Sequence, residues 1–270
     1  MSDPLLSWDY LNDRGRTALM ERHAGAAVEG RMPWDWTRAP FNRVALVNRV
    51  VWNWPGCRYL EIGCDKDVLF HAVPLSDKTG VDPVQGGNRR MTSDAFFAGN
   101  DRQFDVIFID GLHEYDQIRR DVIHALAALA PGGWILLHDL LPQDWKQAHV
   151  PRLQGEWTGD VWKVAFDLMA SEGLDFRIVA IDHGVGVVRR KPGAGDAGLS
   201  PPVAGLPEAG FDWFLDRWRS LPLIDWPRAR AWIAAAHRNG PAEPPEPGGA
   251  GTGLAAPGKT GTGEADGDRA

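Results

Sequence analysis

Cysteine is scarce in this chain, cationic charge falls short of anionic, and long apolar runs are missing; each lack excludes something. Of 270 residues only Cys57 and Cys64 carry thiols. Two cysteines make neither a disulfide framework nor a tetrahedral zinc site, so both are read as buried thiols in a reducing compartment. Lysine and arginine total 29 against 36 aspartates and glutamates, a net charge of −7. That balance argues against a nucleic-acid or anionic-membrane partner. No apolar stretch approaches the roughly 20 residues that span a bilayer. The start, "MSDPLLSWDYLNDRGR", has acidic residues where a signal peptide places basic and then apolar ones. The expectation is a soluble, cytoplasmic protein.

One further lack is local. "YLEIGCDKDVLF" (59–70) opens like a nucleotide-binding unit, with a short apolar strand, a glycine and a turn into a helix. Where a phosphate-binding loop has its second and third glycines, this chain has Asp65 and Asp67. A pyrophosphate needs close backbone approach and no fixed negative charge nearby. Two carboxylates would repel it by on the order of 1–3 kcal/mol each in a partly solvated site. Helix capping is the plain alternative role for both aspartates.

What is present reads as an α/β core. "FNRVALVNRVVWNW" (41–54) has helical character, "CRYLEI" (57–62) is a first strand, and "TGVDP" ends a second at Asp82. "FDVIFID" (104–110) and "GWILLHD" (133–139) are nearly continuous apolar runs, the mark of parallel strands covered on both faces. Between them Ile118, Val122, Leu126 and Leu129 line one helix face, with Pro131-Gly132-Gly133 as its stop. Strand, helix and strand make a right-handed crossover. "DFRIVAIDHGVGVVRRK" (175–191) is two β-rich runs about a "DHG" turn, an antiparallel hairpin. The expected organisation is an N-terminal helical or lid segment (1–54), a core domain (55–191), a flexible linker (192–210), amphipathic helices (211–239) docking on the core, and a disordered Pro/Gly/Ala-rich tail (240–270). "RMPWDWTRAP" (31–40) is the candidate lid.

Ligands of open α/β sheets bind outside the carboxyl ends of the strands. Here those ends carry Gly63 to Asp67, Asp82, Asp110 to His113, and His138 to Asp139. Asp82, 19 positions after Gly63, has the spacing of an acid that holds adenosine ribose hydroxyls. NAD would satisfy that spacing equally. A phosphate-free cofactor with a sulfonium and an ammonium, S-adenosylmethionine, suits the acidic loop better.

"YLEIGC", "GVDP", "TSDAFF", "FDVIFIDGLHEYDQIRRDV" and "LAPGGWILLHDLLP" resemble the successive motifs of class I S-adenosylmethionine-dependent methyltransferases, near a bacterial branch that O-methylates sugars and other small molecules. The resemblance covers about residues 55–190. It implies a Rossmann-like, seven-stranded, mostly parallel sheet with a terminal antiparallel hairpin and helices on both faces. It also implies that Glu61 and Gly63 hold the methionyl portion, with Asp65 beside them, that Asp82 holds the ribose, and that Ser93 and Asp94 approach the adenine. Asp110 borders both cofactor and acceptor.

Methyl transfer requires an aligned acceptor and a place for its proton. His113 or His138 is the expected base, with Asp110 beside them. Asp110 and Asp139 are the candidate ligands of a divalent cation, magnesium or manganese. Related metal-dependent enzymes place a second acid or amide after the position of Asp139, where this chain has Leu140. Trp157, Asp160, Trp162 and Lys163 follow, residue types that suit either a sugar or aromatic acceptor or the core. The expected activity is O-methylation of a small hydroxylated metabolite such as a sugar. An NAD-dependent oxidoreductase and a non-catalytic scaffold are the alternatives, and homo-oligomers remain open.

Overall fold

A computed structural model gives the fold of Trp8 and of residues 11–52 and 54–238. The tail expected to be disordered lies outside those residues. The elements run α1 (Asp13–Arg22), α2 (Arg43–Val51), β1 (Tyr59–Ile62), α3 (Val68–Ala72), β2 (Lys78–Val81), α4 (Ser93–Ala98), β3 (Phe104–Ile109), α5 (Tyr115–Ala128) and β4 (Leu129–Leu137). Then come α6 (Trp162–Met169), β5 (Leu174–Val179), β6 (Val185–Arg190), α7 (Phe211–Arg217), β7 (Leu223–Ile224) and α8 (Trp226–Arg238).

Seven strands form one sheet in the order β2-β1-β3-β4-β6-β5-β7. Only β6 runs against its neighbours, pairing antiparallel with both β4 and β5. The antiparallel hairpin is therefore β5–β6. The seventh strand is a two-residue edge piece from beyond the expected linker, parallel to β5.

Strand alternation divides the core into two layers. Leu60, Ile62, Ile107, Ile109, Ile135 and Leu137 face the layer built by α5, α6 and α7. Tyr59, Val106, Phe108, Trp134 and Leu136 face α2, α3 and α8. Both faces of the central strands are thus buried, which is why those strands read as unbroken apolar runs. Helix α5 ends at Ala128, before Pro131, and Leu129 belongs to β4. The β3–β4 register shifts between Phe104 and Val106, absorbing the Pro-Gly-Gly turn. Trp162 packs in the core against Trp213 and Phe214.

The flexible linker expected at 192–210 is corrected by the structure, which packs this segment as a strap. Leu206 is fully buried. Val203 N–H donates to buried Asp167 (2.9 Å), Ser200 N–H to Ser171 Oγ (2.9 Å), and Lys163 Nζ to the Pro207 carbonyl (2.7 Å). Composition misjudged it because a few apolar anchors and side-chain acceptors fix irregular chain without a repeating pattern.

Candidate functional site

Parallel strands release their carboxyl ends on one edge of the sheet, and there lies a cavity of about 1050 Å³. Its walls include Glu61, Gly63, Asp65, Asp82, Ser93, Asp94, Asp110, His113, His138 and Asp139. These ten residues, singled out from the sequence, therefore border one space.

The β1–α3 loop explains the missing glycines. Gly63 has φ +83°, and a Cβ there would stand 2.0 Å from the Asp110 carbonyl oxygen. Asp65 and Asp67 adopt the left-handed region with φ +44° and +61°. Asp67 makes no side-chain cap to α3. Its Oδ1 instead accepts from Gly87 N–H (2.6 Å), while Asp65 Oδ1 accepts from the Gln85 amide. Close backbone approach has moved to Gly86, where a Cβ would meet the Asp65 carbonyl at 2.2 Å. Four of the loop amides are already satisfied: Gly63 N–H by Val81 O, Cys64 and Asp65 N–H by Asp82, Asp67 N–H by Cys64 O. Nothing in that set cradles a pyrophosphate.

Glu61 lies beneath the loop, its Oε2 accepting from Tyr59 OH at 2.6 Å. Burial, with Asp110 and Asp67 nearby, pushes its carboxyl up to about 7 against the opposing hydrogen bond from Tyr59. At the far wall Gln117 Nε2 donates to Ser93 Oγ (3.1 Å) and Asp94 Oδ1 (3.3 Å), joining α5 to α4.

The opposite end is a network of charges. His113 Nδ1 bonds the Trp157 carbonyl at 2.9 Å, and its Nε2 lies 3.2 Å from Asp110 Oδ1. Since a carbonyl only accepts, Nδ1 carries a proton, and a carboxylate opposite Nε2 calls for a second. His138 Nδ1 stands 3.3 Å from Asp110 Oδ1 and 3.1 Å from Asp139 Oδ1, with Nε2 3.4 Å from Asp182 Oδ1. Asp182 Oδ2 accepts from both the backbone N–H and Nη1 of Arg43, each at 2.9 Å. Burial alone would lower both imidazoles, but Asp110 and Asp139 reverse that, raising His113 and holding His138 well above its ordinary value. Burial alone would likewise raise Asp110 and Asp182, yet the His138 charge, with His113 on one and Arg43 on the other, depresses both. Asp139, Asp182 and His183 all take positive φ (64°, 44° and 56°), backbone strain gathered at this site.

Asp110, His113 and Asp139 each bring a ligand atom within 4.8 Å of the others. Those carboxylates, however, are already spanned by the His138 ring. Magnesium requires oxygen ligands in near-octahedral array, and the donor set here does not fit it.

Arg43, Asp182, His183, Gln85 and Gln147 escaped the sequence reading. Asp182 and His183 sit in the "DHG" turn, which had been taken only as a connection. Because β6 runs antiparallel to β4, with Gly186 opposite Leu137, that turn returns to the carboxyl end of β4. The expected lid lies at this end: Met32 N–H bonds the Gln143 carbonyl (2.8 Å) and Trp36 meets the His183 ring at 6.4 Å. Trp157 lines the cavity, its ring 5.2 Å from that of His113. Asp160 accepts from Tyr115 N–H (2.6 Å), at the start of α5.

Residues 71–140, from within α3 to just beyond β4, match the family model described as a methyltransferase domain. That stretch is similar to a methyltransferase domain. No curated protein matches the chain. Among solved structures, the SAH-bound methyltransferase PaMTH1 of Podospora anserina is 16% identical, with 67% of this chain and 97% of that one covered and a TM-score of 0.42. A putative O-methyltransferase from Klebsiella pneumoniae gives 16% identity, 71% and 91% coverage and a TM-score of 0.40. CalS10, an amino pentose methyltransferase from Micromonospora echinaspora bound to SAM, gives 16%, 64% and 97%, and 0.36. The Rossmann-like sheet carries its inserted antiparallel strand as β6, sixth in chain order. No helix among the described residues is long and apolar enough to cross a membrane.

Proposed function

We propose that the protein transfers the methyl group of S-adenosylmethionine to a hydroxyl of a small acceptor such as a sugar. The supporting observation is that one cavity has Glu61, Gly63 and the acidic loop on one wall and the His113–Asp110–His138–Asp139 network on the other. Glu61 offers a buried anion to the cofactor's ammonium group, and Ser93 and Asp94 offer polar atoms to its adenine. The cofactor supplies an electrophilic methyl on sulfur; the chain's own residues align the acceptor and take its proton.

His113 is the assigned proton acceptor. Its ring lines the cavity beside Trp157, and Asp110 stabilises the protonated product. His138 keeps its proton and serves as the fixed cation of the network, held by Asp110, Asp139 and Asp182. Because the carboxylates keep His113 protonated above its ordinary range, turnover rises with pH until that ring is neutral. An oxidoreductase reading would have to seat a dinucleotide pyrophosphate beside the Asp65 and Asp67 carboxylates, on a loop whose Gly63, Cys64, Asp65 and Asp67 amides are already bonded.

The test is calorimetric titration with S-adenosylhomocysteine, followed by transfer of labelled methyl groups to a panel of hydroxylated sugars and phenols. Absence of binding sinks the proposal. Binding without transfer to any acceptor points to the scaffold reading.

A further inference from the structure

The acidity that suits a sulfonium and an ammonium raises a difficulty at the same end of the cavity. The methionyl portion of S-adenosylmethionine also carries a carboxylate, and Glu61, Asp65, Asp110 and Asp139 all border the space. Like charges this close repel. A cation has to face that carboxylate, as Glu61 faces the ammonium.

Most cations lining the cavity are committed elsewhere. His113 and His138 are shared among Asp110, Asp139 and Asp182. Arg120 stands at the Asp94 wall, its Nε 3.5 Å from Asp94 Oδ1. Arg152 donates to the Gln154 and Gly155 carbonyls. Lys66 is exposed on the acidic loop.

Arg43 differs from all of these. It lines the cavity from the first turn of α2, with its side chain 30% exposed. Its charge is close enough to Glu61 to oppose the rise that burial causes there. A guanidinium has five N–H donors in a planar fork. Asp182 takes one, from Nη1 at 2.9 Å, and accepts from the Arg43 backbone N–H as well, which aims the side chain. Nε lies 3.9 Å from Asp110 Oδ2, too far for a hydrogen bond. Nη2 donates to no group among the described residues. A half-buried fork with open donors beside a buried carboxyl matches a carboxylate in geometry and in charge.

We infer that Arg43 binds the carboxylate of the cofactor's methionyl portion, so that Arg43 and Glu61 hold the two charges of that zwitterion side by side. This rests on the cofactor assignment proposed above.

The test compares S-adenosylhomocysteine with its decarboxylated analogue, 5′-deoxy-5′-(3-aminopropylthio)adenosine, by calorimetry, using wild type, Arg43→Gln, Arg43→Lys and Lys66→Ala. Wild type should prefer S-adenosylhomocysteine by about tenfold or more, the effect of hydrogen bonds between charged groups. Arg43→Gln keeps a donor for Asp182 and removes the charge. Its preference should vanish or reverse, because the acidic wall then faces the carboxylate unopposed, while its affinity for the analogue stays near that of wild type. A purely structural role for Arg43 would instead weaken both ligands together, and that result overturns the inference. Lys66→Ala should discriminate like wild type; lost discrimination there, with full discrimination in Arg43→Gln, overturns it too. If Arg43→Gln does not fold, Arg43→Lys decides: one ammonium in place of the fork should cut the preference severalfold, and an unchanged preference refutes the assignment. Equal binding of both ligands by wild type removes the Arg43 assignment and leaves the cofactor reading standing. Binding of neither ligand removes both.

Discussion

Gly63→Ala puts the architecture of the site under the most direct strain. The residue sits at φ +83°, a conformation that costs an L-residue about 1–2 kcal/mol. The added methyl carbon would lie 2.0 Å from the Asp110 carbonyl oxygen and 2.8 Å from Gly111 Cα, both backbone atoms. Rotamer change cannot relieve a clash with backbone; the ends of β1 and β3 must part, and Gly63 N–H is bonded to Val81 O at 2.9 Å on the other side. Overpacking of this kind costs a further 1–3 kcal/mol or so. Taking about 3 kcal/mol in total, the melting temperature should fall by about 6–12 °C for a chain of this size. Thermal melts and urea unfolding measure it, with S-adenosylhomocysteine affinity as a parallel readout, since Asp110 is displaced. A variant that melts with the wild type would refute the reasoning, because it would mean the two strand ends do not approach as described.

Other perturbations probe separate parts of the argument. Glu61 has its folded carboxyl raised to about 7, so its favourable contribution is complete below the unfolded value of 4.5 and is lost as pH rises through 7. Glu61→Gln should therefore gain stability relative to wild type between about pH 5 and pH 8, on the order of 3 kcal/mol from the shift; equal differences at both pH values would contradict the buried-charge account. Leu206→Ala removes a fully buried anchor of the strap and should cost about 2–4 kcal/mol in urea unfolding, whereas a loose linker would show almost none. Manganese titration followed by electron paramagnetic resonance should find no tight site in wild type and a new one in His138→Ala, where the Asp110 and Asp139 carboxylates lose the ring between them; a tight wild-type site would refute the fixed-cation role. The kcat profile should rise above about pH 6.5, the ordinary histidine value, and His113→Ala should flatten it.

The sequence alone was enough for the central α/β frame. Phe104–Ile109 and Trp134–Leu137 carry apolar side chains on both faces, and only a doubly covered parallel strand tolerates that. Strand-end chemistry was equally legible: Gly63, Asp82, Asp110 and His138–Asp139 each follow an apolar run, and strands of one direction deliver their ends to one edge. Tertiary structure decided what those residues do to one another. Asp182 became a partner of His138 only because β6 inserts antiparallel beside β4 and swings its turn back, a long-range pairing that no local pattern encodes. Arg43, at the first turn of α2, reached Asp182 across 139 positions of chain. The 192–210 segment, poor in pattern, was fixed by contacts with α5 and α6 that exist only once those helices have docked. The carboxylates at 65 and 67 showed in the sequence as a missing phosphate cradle, but that they brace the Gln85–Gly87 loop depended on the two loops meeting in space.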